Sequence, residues 1–179
     1  MKEIFSKMKG GAQKPPMMSI GEIIYALIGS FIGVGICSYL SAMYFEPRDL
    51  TLIIGSMGAS AVLVYGAVKS PFAQPRNVIG GHIVSGLVGV CSYTLMPDHA
   101  VAASAVAVSF AVAAMALTKT THPPGGATAL IAVIGGAKIH TLGFLYPFVP
   151  AGAGALVLLI VGLVVNNIPR NKKYPEYWI

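Results

Sequence analysis

The residues able to do chemistry fall in two short stretches. The first is Thr120-Thr121-His122-Pro123-Pro124-Gly125-Gly126-Ala127-Thr128. Prolines suit the first turn of a helix, where their missing N–H groups would have had no partner. The small residues behind them leave the helix start open to close approach. The first free N–H groups would be those of Gly125, Gly126 and Ala127, and such a start carries roughly half a positive charge and suits an anion. His122 stands at its mouth. An imidazole titrates near physiological pH, so it can gate or carry a proton; equally, it can hydrogen-bond nearby backbone and fix the pre-proline turn. The second stretch, Gly58-Ala59-Ser60-Ala61, repeats the pattern of Gly126-Ala127-Thr128-Ala129. The hydroxyls of Ser60 and Thr128 add donors to the two helix starts.

What positions these stretches is a bilayer. Of 179 residues, 55% are hydrophobic and only 10% charged, against about 25% charged in a soluble domain. Several apolar runs reach the about 17–25 residues that span hydrocarbon. The chain therefore reads as an all-α integral membrane protein, and its net charge of +6 reads as topology rather than nucleic-acid affinity. Cys37 and Cys91 sit inside expected spans as small packing residues. Residues 1–16 are Lys-rich, with no cleavable signal ahead of the first span.

Residues 1–18 form an expected basic tail, 19–168 the transmembrane domain and 169–179 a second basic tail. Spans are expected over 20–45, 50–68, 78–96, 100–117 and 142–168. The first has Glu22 at its entrance as a solvated or helix-start charge and carries a Gly29-x-x-x-Gly33 face suited to close helix contact. Glu46-Pro47-Arg48-Asp49 is the expected first turn. The run 124–137 has only fourteen residues and is open to three forms: a short span, a half-helix or a re-entrant loop. Charge arbitrates. With six crossings the inner face holds Lys2, Lys7, Lys9, Lys14, Lys69, Arg76, Lys119, Arg170, Lys172 and Lys173, and the outer face holds Arg48 and Lys138, ten to two. If 124–137 does not cross, the split falls to eight to four. Six segments with both ends cytoplasmic, in a plasma or inner membrane, is the expected topology. Tyr174, Tyr177 and Trp178 are expected as interfacial aromatic anchors.

The offset of 68 residues that aligns Ser60 with Thr128 also aligns Gly21 with Gly89 and Tyr25 with Tyr93. Two copies of three segments each must lie upside down to one another. Inverted repeats around short or broken second helices are a transporter architecture, with binding near the midplane. The same broad plan occurs in formate/nitrite channels, by analogy only.

These residues resemble the HPP family of integral membrane proteins through His122-Pro123-Pro124, Gly55-Ser56-Met57-Gly58-Ala59-Ser60-Ala61, Gly125-Gly126-Ala127-Thr128-Ala129, and the run from Ser70 to His82. The resemblance covers roughly residues 21–168. The family is usually described with four spans, from which the charge count departs. Members in chloroplasts and cyanobacteria are implicated in nitrite transport, and some bacterial members carry appended regulatory domains. The resemblance implies a small-anion transporter.

The leading expectation is a transporter or channel for a small monovalent anion, nitrite first. Its candidate binding residues are Gly58, Ala59, Ser60, Thr121, His122, Gly125, Gly126, Ala127 and Thr128. Arg76, Asn77, His82 and Lys119 are candidates for a vestibule or gate. Arg76 and Lys119 attract anions or simply mark topology, and Asn77 caps the third span or meets substrate. The alternative is a structural or regulatory membrane subunit with no pathway; dry packing around His122 and Thr128 favours it, and a water-filled cavity favours transport. An enzyme is the weakest class, because no paired carboxylates, nucleophile-with-base arrangement or metal cluster is legible within the spans. No cofactor, metal or nucleic acid is expected. The lipid bilayer is a partner, and thin walls of six helices point to a homo-oligomer.

Overall fold

The computed structural model describes residues 1–179 apart from 9–11, 13–15, 49 and 171. Lys9 and Lys14 of the expected basic tail, and Asp49 of the expected turn, lie outside the described residues. Every regular element among the described residues is helical. A short helix, α1 (Lys2–Lys7), precedes the bundle. α2 starts at Ile20 because Ser19 and Glu22 cap it reciprocally: Ser19 Oγ accepts from the Glu22 N–H, and Glu22 Oε2 accepts from the Ser19 N–H at 2.8 Å. With a π-helical and a 3-10 turn at its end, α2 runs Ile20–Arg48. Among the described residues it is one of four helices long and apolar enough to cross a membrane, together with α4 (Pro75–Leu95), α5 (Ala100–Leu117) and the stretch Gly143–Val165. That last stretch is broken where Val149 is extended (φ −135°, ψ 113°) ahead of Pro150, the conformation that a following proline favours. Its regular part is Ala153–Val165; it is called α8 after the short α7, Ala137–His140.

The other two expected spans are shorter than the apolar runs that suggested them. In place of a helix over 50–68, residues 51–54 are non-helical, and α3 runs Gly55–Ala61 before a π-helical turn, Val62–Gly66. In place of 124–137, α6 runs Pro124–Ile134, eleven residues. At about 1.5 Å per residue, such a helix covers roughly half of a hydrocarbon core about 30 Å thick. The two prolines prevent α6 from growing backwards, and the glycines at the start of α3 weaken helix there.

Contacts along α4 order the bundle. Gly80 meets Thr120, Gly81 meets His122 and Gly89 meets Ala129; near its end Tyr93 stacks on His140 with ring centroids 3.7 Å apart. α6 therefore runs alongside α4 in the same direction. The Gly143–Val165 stretch runs the other way, with Pro147 against Gly86 and Gly152 against Ile83. α3 runs with α8, Met57 beside Gly154 and Val64 beside Gly162. α3 and α6 are thus antiparallel, entered from opposite ends. The tail end of the bundle collects the start of α2, residues 67–74, 118–123 and the chain after Val165. The far end collects residues 50–54, 96–99 and 135–142.

Small residues let the helices close. Ala103, Ala107, Ala111 and Met115 form the buried stripe of α5, and Gly29 and Gly33 of α2 lie against the Tyr65 ring, which is the close contact their spacing predicts. Outward faces are apolar: Phe31, Val101 and Leu117 are 79%, 89% and 85% exposed, a surface suited to lipid. Tyr174 departs from its expected place at the interface. It is buried, and its Oη donates to the Ala73 carbonyl at 2.6 Å. The Glu176 N–H donates to Gln74 Oε1 at 2.8 Å, and Tyr177 Oη to the Pro71 carbonyl at 3.3 Å. The C-terminal residues thus strap the segment between α3 and α4.

Candidate functional site

Ser56 and Ser60 are four residues apart on α3 and so share one face of it. Both point into the bundle, as do His82 from α4, His122 from the turn before α6, and Thr128 from α6. All five are fully buried. Two glycines allow the approach. A Cβ on Gly81 would meet the His122 Cβ and stand 2.9 Å from the Thr120 carbonyl oxygen. A Cβ on Gly125 would meet Ser85 Oγ, and would stand 2.8 Å from Met115 Sδ and 2.9 Å from the Gly81 carbonyl oxygen.

The five side chains form one hydrogen-bonded line. Ser56 Oγ and Thr128 Oγ1 are 2.9 Å apart, and Thr128 Oγ1 lies 2.7 Å from His82 Nδ1. His82 Nε2 lies 2.7 Å from Ser60 Oγ, which lies 2.9 Å from His122 Nε2. His122 Nδ1 ends the line 2.6 Å from the Phe72 carbonyl oxygen. The imidazoles meet edge to face, centroids 5.0 Å apart and planes at 61°. Below them, Tyr146 Oη donates to the Thr128 carbonyl at 2.8 Å. Among the described residues no buried side-chain nitrogen or oxygen lacks a partner. In so apolar a chain this matters, because each buried polar group left unpaired costs about 1–3 kcal/mol.

The line selects some of the expected site residues and leaves others aside. Ser60, His122 and Thr128 converge. His82, expected at a vestibule, stands between Ser60 and Thr128 at the centre. Gly58 and Ala59 are exposed, and Gly126 and Ala127 are half-buried on the other side of α6; a Cβ at Gly58 would meet nothing within 4 Å. The expected free N–H groups of Gly125 and Gly126 are occupied: Gly125 donates to the His122 carbonyl at 2.7 Å and Gly126 to the Pro123 carbonyl at 3.0 Å. The tight Pro-Pro turn brings those carbonyls within reach of its own N–H groups, so hydroxyls and imidazoles, rather than these two amides, are the polar groups at the centre. Thr121 is half-buried, and its carbonyl accepts from Asn77 Nδ2 at 2.8 Å; Asn77 thereby ties α4 to the pre-α6 turn instead of capping its own helix. Arg76 is half-buried and donates to the Thr118 carbonyl at 3.0 Å. Lys119 is exposed, with φ 56°. Both stand at the tail end, outside the buried line.

Three participants were not foreseen. Ser56 sits one helical turn before Ser60, a spacing visible in the sequence. The Phe72 carbonyl has no such signal, because 50 residues separate it from His122. The third is a relationship: Ser60 lies within hydrogen-bond reach of two imidazoles. The sequence reading saw no nucleophile-with-base arrangement within the spans, and here a hydroxyl touches two potential bases. They come from segments distant in sequence, which is why the contact was hidden.

The comparisons agree with a transmembrane chain that carries this motif. The family model described as "HPP, transmembrane region" matches residues 15–175. A transmembrane protein of Dictyostelium discoideum is 44% identical over 179 residues, covering 98% of this chain and 57% of its own length. A second from the same organism is 41% identical over 172 residues, covering 94% of this chain and 60% of its own. The chain thus spans somewhat more than half the length of these relatives. No solved structure matches it. With the His-Pro-Pro turn and the flanking helices inside the matched range, the chain belongs to the HPP family of transmembrane proteins.

Proposed function

We propose that the protein transports a small monovalent anion, nitrite first, past the line of Ser60, His82, His122 and Thr128, and that the geometry described is its closed state. One observation carries the reading: five polar side chains, two of them ionisable, are gathered at the centre of an apolar bundle. Ionisable groups at membrane depth are costly, and their usual return is an ion or proton pathway. Supporting it, α3 and α6 are short, antiparallel and entered from opposite ends, as in inverted repeats around a midplane site. On this reading all six helical segments cross or half-cross, in two inverted three-helix units. The tail end, with Lys69, Arg76, Lys119, Arg170, Lys172 and Lys173, faces the cytoplasm of a cell-membrane protein. Arg76 and Lys119 raise the local anion concentration there. The Ser60–histidine contact serves binding and proton movement rather than nucleophilic attack, because two imidazoles share the hydroxyl and no substrate can approach it in this state.

A structural or regulatory subunit is the second reading. The specific observation in its favour is the closure of the line itself: the side chains satisfy one another, and the turn N–H groups of Gly125 and Gly126 are taken. Uptake into proteoliposomes separates the two. The transport reading expects nitrite uptake well above protein-free vesicles, with nitrate, formate and chloride compared. No flux of any of these anions would overturn it and leave the line as a packing device.

A further inference from the structure

We infer that the line from Ser56 to Phe72 is a proton relay with a built-in stop at His122, which couples a proton to the anion; the inference rests on the transport reading above.

Counting hydrogens fixes the direction of the line. A carbonyl only accepts, so His122 must carry its hydrogen on Nδ1 to meet Phe72. Neutral His122 then has a lone pair on Nε2, which the single hydroxyl hydrogen of Ser60 must satisfy. Ser60 in turn accepts, so His82 Nε2 carries a hydrogen and His82 Nδ1 is a lone pair. Thr128 must then donate to it. In the structure Thr128 Oγ1 is placed to donate to Ser56 Oγ at 2.9 Å and also reaches the Pro124 carbonyl at 3.3 Å, so the neutral line requires this hydroxyl pair to turn round, with Ser56 donating. With both imidazoles neutral, every link points the same way: Ser56, Thr128, His82, Ser60, His122, Phe72. The orientation in the structure, with Thr128 donating to Ser56, has His82 Nδ1 carry the hydrogen when it bonds Thr128 Oγ1. The lone Ser60 hydroxyl then cannot serve two imidazole lone pairs, unless one ring is an imidazolium. That orientation is therefore the line with one proton added.

The steps balance. Ser56 is fully buried here, so the first step follows opening of the far end: a hydronium then protonates Ser56 Oγ and becomes water. The original Ser56 O–H breaks as its proton bonds to Thr128 Oγ1, and the Thr128 O–H breaks as its proton bonds to His82 Nδ1. His82 is now the cation. Its Nε2–H then breaks, a new O–H forms on Ser60, and the former Ser60 proton bonds to His122 Nε2. There the relay stops, because the Phe72 carbonyl cannot pass a proton on. Release requires the His122 ring to leave Phe72 and turn toward the tail end, where Phe72 and Pro123 are exposed. The line spans the right ends: Ser56 follows the far-end residues 51–54, and His122 follows the tail-end residues 118–123.

The coupling follows from burial. An isolated imidazolium in this bundle is costly, and so is an isolated anion; side by side they offset one another. No carboxylate hydrogen-bonds to either histidine among the described residues. The groups that titrate or carry charge nearby are Tyr146 on the Gly143–Val165 stretch, engaged with the Thr128 carbonyl, and, at the tail end, half-buried Arg76 on α4 and exposed Lys119 after α5. The missing countercharge is the transported anion, and one proton should move with each.

The test records nitrite and proton uptake together in proteoliposomes, alongside ¹⁵N-histidine NMR of the same protein. Expected are one proton per anion, with His122 as the Nδ1–H and His82 as the Nε2–H tautomer. Thr128→Val and Ser60→Ala should each lower coupled uptake at least tenfold in protein that remains monodisperse in detergent. Nitrite flux without protons, or the opposite tautomer on His82, overturns the relay and leaves anion transport standing. Unchanged coupled flux in both variants does the same. No flux of any anion overturns both readings.

Discussion

His122 and Phe72 are joined by the bond that holds the centre of the bundle to its edge: the Nδ1–H of the buried ring donates to the carbonyl of an exposed residue at 2.6 Å. That carbonyl lies in the segment between α3 and α4, whereas the ring precedes α6. Movement of either segment therefore breaks the pairing of the other. His122→Gln keeps one donor but cannot both donate to Phe72 and accept from Ser60 at the ring positions. It should lower nitrite flux more than tenfold and flatten its pH profile, measured in proteoliposomes between pH 5.5 and 8 (the range in which histidine ordinarily titrates). An unchanged profile would make His122 a purely structural residue.

Thr128→Val removes one hydroxyl and nearly no volume. His82 Nδ1 and Ser56 Oγ each lose their hydroxyl partner, so the folded state should lose about 1–3 kcal/mol. Thermal unfolding in detergent reads this directly. A midpoint equal to the wild type would show that water replaces the hydroxyl and that the site is not dry.

The glycines divide by what faces them. Gly81→Ala drives a methyl into His122 and the Thr120 carbonyl, and overpacking of this kind costs about 1–3 kcal/mol. Gly58→Ala meets open space and should be neutral or stabilising by up to about 1 kcal/mol, the ordinary helix preference for alanine. The same contrast holds on α6. Gly125→Ala collides with Ser85 and Met115, whereas the nearest atom to a Cβ at Gly126 is Val108 Cγ1 at 3.9 Å. Melting midpoints of the four variants check the ordering, and equal values within each pair would refute it.

Tyr174→Phe deletes the hydroxyl that binds the Ala73 carbonyl and keeps the ring. The expected loss is about 1 kcal/mol of stability, together with faster proteolytic removal of the last residues. Undiminished protease resistance would mean that ring packing alone holds the strap.

Much of this was legible in advance, for identifiable reasons. The four long helices follow from apolar runs that exceed a membrane's thickness, and the start of α6 follows from Pro123 and Pro124. Ser19 and Glu22 could be seen as a helix start. The shortening of α3 could not, because residues 51–54 are as apolar as the helix they precede; backbone conformation, not composition, ends it. The central line was half visible. His122 and Thr128 stand six residues apart, but Ser60 is 62 residues from His122 and 22 from His82. Local spacing carries no information about such meetings, and a chain with this many small residues offers many competing helix contacts. The amides at the α6 start looked vacant in sequence because the compactness of the Pro-Pro turn, which lets it consume two of its own N–H groups, is a three-dimensional property.

The strap has a mechanical consequence. Tyr174, Glu176 and Tyr177 grip the backbone or side chains of Ala73, Gln74 and Pro71, on either side of the carbonyl that His122 requires. A force or a binding partner that peels residues 174–179 off the bundle pulls first on the residues that flank that carbonyl. Residues 174–179 are a handle on the buried His122 ring.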